Sequence, residues 1–314
     1  MKLPEGPIWI AGHRGMVGSA LVRALTAAGH GPLLLRTSGE LDLRDMGATL
    51  RFVREAKPAV VIMAAARVGG IRANSEALYD FLFENLAMSA NVIEASRLTG
   101  VRKLLYLGSS CIYPKAAPQP IPESALLTGP LEPTNEGYAL AKIAGIRMCD
   151  FARRQHGCDF ISAMPCNLFG PGDNFSLDKS HVLPAMIRKM HDAKLRGDSE
   201  LTLWGTGSPL REFLHVDDLA RACLFLLNHY SAEGHVNVGS SSELSIQDLA
   251  NIVAQTVGFK GKVKFDPSKH DGTHRKLMDS SKIHALGWSP NISLQEGIRS
   301  TYEWFTREHA TLRL

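Results

Sequence analysis

The first half of the chain alternates short apolar runs with longer stretches whose apolar residues recur at helical spacing. The runs predict strands at 8–11, 33–36, 60–63, 103–107 and 160–164. The stretches between them predict helices near 15–29, 45–56, 76–99 and 136–156. Because parallel strands need long crossover connections, this alternation predicts a doubly wound α/β fold around a parallel sheet.

The pattern changes after Pro165, where Gly, Pro and Asn cluster over 167–174 in a predicted loop. Beyond it, helices and short strands interleave without a second glycine-rich loop. We therefore expect a nucleotide-binding domain with the catalytic residues over 1–165 and a smaller, mainly substrate-binding α/β lobe over 166–314. Some segments of the second part are expected to return to the first, and the cleft between the lobes to hold the substrate.

Composition places the chain among globular enzymes and excludes several other classes. Hydrophobic residues make up 45% and charged residues 21% of the 314 positions. The net charge of +4 comes from basic residues scattered along the chain, so a nucleic-acid partner is not expected. No apolar run approaches the roughly 20 residues that span a bilayer, and the first residues lack the apolar core of a signal peptide.

The five cysteines are odd in number and lack the spacing of a zinc site. They are Cys111, Cys149, Cys158, Cys166 and Cys223. Reduced thiols in a cytoplasmic protein without a bound metal are the expectation that follows.

A glycine-rich loop lies between the first predicted strand and the first predicted helix. It reads Gly12-His13-Arg14-Gly15-Met16-Val17-Gly18. Glycines allow a tight turn and a close approach of the backbone to a pyrophosphate, and the helix N-terminus offers unpaired N–H groups. Three glycines alone are weak evidence, but their place between a strand and a helix predicts dinucleotide binding in a Rossmann-like domain.

The second predicted strand ends on Arg36, where an NAD-selective site usually has Asp or Glu. A cation suits the 2′-phosphate of NADP(H), and Arg14 in the glycine loop can approach the same phosphate. The alternative is that both arginines are simply solvated surface residues.

Tyr138 and Lys142 are four residues apart and therefore share one face of a helix. A nearby ammonium is expected to lower the pKa of the phenol and so help it to exchange protons with a carbonyl or alcohol. This spacing is common by accident on amphipathic helices. Ser109 strengthens the case, because it follows the fourth strand at the edge where α/β sheets bind ligands.

Ser109, Tyr138 and Lys142, in this order after the glycine loop, resemble the catalytic set of the short-chain dehydrogenase/reductase superfamily. Within its extended branch, the chain is similar to the GDP-L-fucose synthases. This resemblance extends from about residue 8 to the C-terminus and rests on the glycine loop together with the segments 68–71, 108–114, 131–136, 167–168, 173–175, 180–182, 211–218 and 271–273.

The resemblance implies a dual reaction on GDP-4-keto-6-deoxy-D-mannose, with epimerisation at C3 and C5 followed by NADPH reduction at C4. Cys111 and His181 match the epimerisation pair, with Cys111 favoured as the base. Without the resemblance, the sequence favours the interpretation of Cys111 as a small buried hydrophobic residue and of His181 as a helix-cap residue.

The resemblance also implies the remaining contacts. The cofactor would be bound by the glycine loop and by Arg36, Ser38, Leu107, Gly108, Lys142, Pro165, Asn167, Leu168 and His181. The GDP part of the substrate would be bound by Lys189, Trp204, Arg211 and Asp271. The alternative for this second set is that Trp204 is a core residue and that Arg211 pairs with Asp217 or Asp218.

Three positions depart from the family pattern. Lys189 stands where Arg is common, and Ser38 stands where some members have a second Arg, so the preference for NADPH over NADH is expected to be modest. Cys166 replaces a commoner Thr, a small change that we expect the site to tolerate.

Two other functions remain open at this point. Another nucleotide-sugar 4-reductase or 4-epimerase needs only Ser109, Tyr138 and Lys142, whereas Cys111 and His181 argue against it. A non-catalytic NADP-sensing protein is disfavoured because the catalytic set is intact. The resemblance further implies a homodimer formed through the helices near 76–99 and 136–156.

Overall fold

The computed structural model describes residues 2–177, 180–269 and 271–308, without the side chains at 71 and 72. In the first part of the chain, the elements are β1 (Ile8–Ala11), α1 (Met16–Ala27), β2 (Leu33–Leu34), α2 (Met46–Ala56), β3 (Val60–Met63), α3 (Ile71–Glu76), α4 (Leu78–Leu98), β4 (Lys103–Leu107), α5 (Glu136–His156) and β5 (Phe160–Pro165). Short 3₁₀ turns lie at Ser110–Ile112, Glu123–Ala125 and Pro133–Asn135.

The second part continues with strands and helices of similar length. They are β6 (Asn167–Phe169), α6 (Val182–Arg196), β7 (Glu200–Trp204), β8 (Leu210–His215), α7 (Val216–His229), β9 (His235–Val238), β10 (Glu243–Ser245), α8 (Ile246–Val257), β11 (Lys262–Asp266), β12 (Arg275–Lys276), α9 (Ser281–Ala285) and α10 (Leu294–Glu308). None of the described helices is long and apolar enough to cross a membrane.

The central sheet is parallel, with strand order β2-β1-β3-β4-β5-β9. This confirms the predicted doubly wound fold. The strand order reverses at β1, so the crevice between the carboxyl ends of β1 and β3 is the place where such a sheet binds a ligand. One predicted strand was too long, because β2 ends at Leu34 and leaves Arg36 in the loop that follows.

The strands β1, β3, β4 and β5 are buried along their whole length, since helices cover both faces of the sheet. Their side chains form one hydrophobic core, to which α7 and β9 also contribute. A second core joins α6, α8 and α10. We propose two lobes on this basis, with 216–238 belonging to the nucleotide-binding lobe.

Helix α5 packs closely against both α4 and β4 because it carries a glycine at each contact. A Cβ on Gly137 would collide with the carbonyl oxygen of Leu78, and one on Gly145 would collide with the ring of Tyr106. This packing brings the first turns of α5 to the carboxyl end of β4. The predicted catalytic residues of both elements therefore lie at the same edge of the sheet.

Candidate active site

The glycine loop connects β1 to α1 and folds tightly on itself. Gly12 has a φ of +88°, and a Cβ there would lie 2.6 Å from the backbone of Ala65. A Cβ on Gly18 would collide with the carbonyl oxygen of Gly12. Both positions therefore favour glycine, because any side chain would force the loop out of this conformation.

Gly15 differs from these two glycines because its surroundings are open. It precedes α1 in an extended conformation, without a side-chain cap, and an added Cβ would meet only the Gly12 carbonyl at 3.5 Å. The start of α1, whose first backbone N–H groups have no partner within the helix, is thus open to solvent at Gly15. This cradle fits the pyrophosphate of a dinucleotide.

Arg14 and Arg36, the two arginines of the predicted 2′-phosphate site, are both exposed. Their exposure is compatible with a phosphate site and equally with two solvated surface residues. The Arg36 guanidinium lies over the Phe52 ring at 5.3 Å from its centroid and donates to the carbonyl of Leu35 at 2.9 Å. Nearby, the Glu40 carboxylate accepts from the N–H and hydroxyl of Thr37 at 2.8 and 2.7 Å. Ser38 is exposed in the same loop.

Ser109, Tyr138 and Lys142 come together at the end of β4. Ser109 directly precedes the 3₁₀ turn that follows β4, and its hydroxyl accepts the backbone N–H of Cys111 at 3.3 Å. Lys142 is only 3% exposed, and its ammonium donates to the carbonyl of Leu107 at 2.8 Å. The same ammonium lies 5.7 Å from the centroid of the Tyr138 ring, one helical turn away.

The expected effect of Lys142 on the phenol was wrong for this state of the protein. Burial raises the pKa of Tyr138, with Cys111 and Tyr106 raising it further and a hydrogen bond with Ser109 opposing the shift. Burial also lowers the pKa of Lys142, to about 8. Loss of hydration outweighs the opposing hydrogen bond, so Tyr138 is protonated at neutral pH.

Cys111 is half-buried and lies among polar donors rather than in the hydrophobic core. The side-chain amide of Asn135 donates to its sulfur at 3.3 Å, and the Lys276 ammonium lies 3.8 Å from the same atom. The reading of Cys111 as a small buried hydrophobe is therefore wrong.

His181 occupies the residue before α6, but its side chain does not cap the helix. His181 is exposed overall. Partial desolvation of its imidazole nevertheless lowers the pKa, and the positive charge of Lys276 lowers it further. His181 is therefore largely neutral at pH 7 in the absence of substrate.

The other residues expected at the cofactor lie at the carboxyl ends of β4 and β5. Leu107 ends β4, Pro165 ends β5, and Asn167 and Leu168 begin the short β6 that follows. A Cβ on Gly108 would collide with the side chain of Met164. All five positions thus lie on the ligand-binding edge of the sheet.

The residues expected at GDP lie on the second lobe. Trp204 is 71% exposed, and the Lys189 ammonium lies 5.5 Å from a Trp204 ring centroid. Trp204 is therefore not a core residue. The Asp271 carboxylate accepts from the N–H and hydroxyl of Thr206 at 2.9 and 2.6 Å, which fixes the loop after β7.

Arg211 does not form the ion pairs that were considered for it. Asp217 pairs with Arg23, and Asp218 pairs with Arg221. Arg211 is half-buried and donates to the carbonyl of Leu210, and the nearby charge of Asp271 partly opposes the lowering of its pKa by burial. Its guanidinium thus lies within the field of Asp271, and it forms no ion pair with any residue that the structure describes.

Sequence reasoning missed Asn135 and Lys276 as members of this site. Asn135 could have been noticed, because it belongs to a segment that carries the family resemblance and directly precedes α5. Lys276 is 165 residues from Cys111 along the chain. The local sequence around Lys276 does not predict this contact, because the contact depends on the pairing of β12 with β8.

The fold and the site define a class of enzyme that acts on nucleotide-linked substrates with a nicotinamide cofactor. The sequence profile of the NAD dependent epimerase/dehydratase family matches residues 8–239. GDP-L-fucose synthase 1 of Arabidopsis thaliana is 58% identical over 307 residues, covering 98% of this chain and 95% of that protein. GDP-L-fucose synthase of Escherichia coli (strain K12) is 48% identical over 315 residues, covering 98% of each.

A solved structure supports the same assignment. The GDP-L-fucose synthetase from Naegleria fowleri bound to NADP aligns over 100% of this chain and 98% of that chain, with a TM-score of 0.91 at 29% identity. The chain therefore belongs to the GDP-L-fucose synthases, a group within the NAD dependent epimerase/dehydratase family.

Proposed function

We propose that the chain converts GDP-4-keto-6-deoxy-D-mannose into GDP-L-fucose by epimerising C3 and C5 and reducing C4 with NADPH. The observation that carries this proposal is the position of Cys111, which lies beside Ser109 and Tyr138 at the edge of the sheet. A reductase needs only the serine, tyrosine and lysine. A second proton-transferring group next to them suits a reaction that also inverts carbon centres.

Epimerisation is favoured by the ketone at C4, because C3 and C5 both flank it. Removing a proton from either carbon gives an enolate whose charge resides largely on the carbonyl oxygen. The hydroxyls of Ser109 and Tyr138 would stabilise that oxygen. Cys111 would remove the proton and His181 would return one to the opposite face, which requires His181 to be protonated when substrate is bound.

Bound NADPH supplies the hydride for the reduction at C4. Tyr138, which is protonated at neutral pH, would donate the proton to the oxygen at C4. Lys142, whose pKa is lowered to about 8, remains mostly charged at neutral pH and would hold the nicotinamide ribose. The open cradle at Gly15 would receive the pyrophosphate, and Arg14, Arg36 and Ser38 would bind the 2′-phosphate.

The second lobe would bind GDP. The exposed ring of Trp204 offers a stacking surface for the base, and Lys189 and Arg211 bring positive charge for the diphosphate. Asp271 would act mainly by fixing the loop at Thr206 that borders this surface.

NADPH oxidation with GDP-4-keto-6-deoxy-D-mannose, combined with identification of the product by NMR, tests the proposal. We expect the wild-type protein to consume NADPH and form GDP-L-fucose, and the Cys111→Ser variant to reduce C4 without inverting C3 or C5. A wild-type product that keeps the manno configuration would identify a simple 4-reductase. No consumption of NADPH would contradict the proposed reaction.

We also propose a homodimer and a cytoplasmic location. Apolar side chains are exposed along α4 and α5, including Tyr79, Phe83, Leu140 and Phe151. Burying them between two copies would form a four-helix contact.

All five cysteines are free thiols, which suits a reducing compartment.

A further inference from the structure

Lys276 connects the second lobe to the predicted base of the epimerisation. It lies on β12, is half-buried, and places its ammonium 3.8 Å from the sulfur of Cys111. Among the residues that the structure describes, no carboxylate lies within ion-pair distance of this ammonium. Its charge is therefore available to the sulfur.

The backbone of Lys276 is fixed on both sides. Strand β12 pairs with β8, where Lys276 lies opposite Arg211. The next residue, Leu277, donates its N–H to the side chain of Gln119 at 2.8 Å. The buried Glu212 carboxylate accepts the N–H of Met278 at 3.1 Å, so the strand cannot move without breaking buried hydrogen bonds.

Two donors thus converge on one sulfur from different parts of the fold. The amide of Asn135 approaches at 3.3 Å from the turn before α5, and Lys276 approaches from β12. A neutral thiol is a weak acceptor, so two donors stabilise it only slightly. A thiolate is stabilised strongly by both hydrogen bonds and a nearby cation. The arrangement is therefore that of a site prepared for a negatively charged sulfur.

We propose that Lys276, assisted by Asn135, holds Cys111 in its thiolate form and thereby makes it the base of the epimerisation. This inference rests on the proposed function. The thiolate would take the proton from C3 or C5, the electrons of the broken C–H bond would pass to the oxygen at C4, and Lys276 would keep its own proton. Lys276 is thus a positioning residue that acts through Cys111.

The effect of Lys276 on His181 fits the same assignment. The ammonium lowers the pKa of that imidazole, as it disfavours a second cation in the cleft. With this imidazole neutral, Lys276 is the cation that lies next to the sulfur of Cys111. This arrangement fits Cys111 as the base.

The direct test is the pH dependence of iodoacetamide alkylation at Cys111, followed by peptide mass spectrometry so that the other cysteines do not interfere. In Lys276→Met we expect the alkylation profile to move to higher pH by about one unit, which slows alkylation roughly tenfold near neutral pH. Lys276→Arg should restore most of the wild-type profile, since it keeps the charge. NADP⁺ affinity, which depends on the other lobe, checks that each variant is folded.

Arg275→Met is the matched control. It removes the same charge from the neighbouring residue of β12, whose side chain points to the opposite face and pairs with Glu243. Its alkylation profile should equal that of the wild type. A Lys276→Met profile that also equals the wild type would overturn the inference and leave Lys276 as a contact for the substrate phosphates, seen as a raised KM.

Deuterium exchange separates this inference from the proposed function. Wild-type protein with substrate in D₂O and without NADPH should incorporate deuterium at C3 and C5, and Lys276→Met should do so roughly tenfold more slowly. If the wild type exchanges no deuterium, the proposed function fails, and the role of Cys111 as base fails with it. If the wild type exchanges and Lys276→Met exchanges equally fast, only the role of Lys276 is contradicted.

Discussion

At the scale of single residues, burial decides the protonation states of the site. Tyr138 and Lys142 share a helix face, as their spacing predicted, but desolvation moves both pKa values towards the neutral forms. A protonated phenol is suited to donate a proton during reduction. The sequence showed which groups meet, whereas their depth below the surface depends on the packing of α5 against β4.

Replacing Tyr138 with Phe should separate the two halves of the reaction. Loss of the proton donor is expected to slow NADPH oxidation by about a hundredfold or more. Deuterium exchange at C3 and C5 should decrease less, because Ser109 still stabilises the enolate oxygen. Equal losses in NADPH oxidation and in exchange would contradict the separate role of Tyr138 in reduction.

Asp173 provides a test of the pH dependence of stability. It is 9% exposed, accepts the N–H of Asn174 at 2.7 Å, and has a second carboxyl oxygen without a partner among the described residues. Burial raises its pKa to about 7. An unfolded Asp ionises near pH ~4, so its contribution to stability is present below that pH and is lost as the pH rises towards 7.

Asp173→Asn removes this titration while keeping an acceptor for Asn174. In the absence of cofactor, the Tm of the variant relative to the wild type should therefore be higher at about pH 8 than at about pH 5. Thermal unfolding at the two pH values measures the difference. The same difference in Tm at both pH values would show that Asp173 is not a buried neutral acid.

At the scale of elements, the sequence predicted most of the first lobe because its signals are local. The bounds of β1, β3 and β4 and of α5 agree with the predicted ranges. Buried parallel strands read as continuous apolar runs and α5 has a clear helical period, so neither needs tertiary information.

Local sequence signals could not predict two features, the end of β2 and the contact of Lys276 with Cys111. The end of β2 at Leu34 depends on its pairing with β1, which covers only two residues. The contact of Lys276 with Cys111 depends on the pairing of β12 with β8 and of β6 with β8. Such pairings join segments far apart in the chain, and the short strands involved carry no periodicity that selects a partner.

The glycine loop yields a prediction with its own control. Gly18→Ala should destabilise the protein by about 1–3 kcal/mol, because its Cβ collides with the Gly12 carbonyl inside the loop. Gly15→Ala should leave the Tm without cofactor nearly unchanged, since its Cβ points into open space, yet it should weaken NADP⁺ binding. Calorimetry of unfolding and titration with NADP⁺ measure the two effects. A Gly15→Ala variant that binds NADP⁺ as well as the wild type would contradict the position of the pyrophosphate.

At the scale of the whole molecule, the two proposed lobes would contribute to one site. The first lobe would provide the cofactor cradle and the groups for proton transfer, and the second would provide the GDP surface and Lys276. Separate lobes suit a reaction in which one substrate stays bound through two chemical steps. The exposed apolar side chains of α4 and α5 lie on the first lobe and leave the cleft free.

The proposed dimer is tested by placing a charge in that apolar surface. Phe83→Glu and Phe151→Glu, at side chains 55% and 52% exposed, should shift the protein to a monomer in light-scattering measurements. Leu195→Glu adds the same charge at a 70% exposed residue of α6 and should leave the oligomeric state unchanged. A wild-type monomer at micromolar concentration would contradict the dimer.

The reaction in D₂O with NADPH, followed by NMR of the product, shows directly whether the chain both epimerises and reduces its substrate. We expect GDP-L-fucose with solvent deuterium at both C3 and C5 and one NADPH consumed per molecule formed. A reduced product without deuterium and with the manno configuration would show that Cys111 and His181 do not epimerise, and would contradict the proposed function.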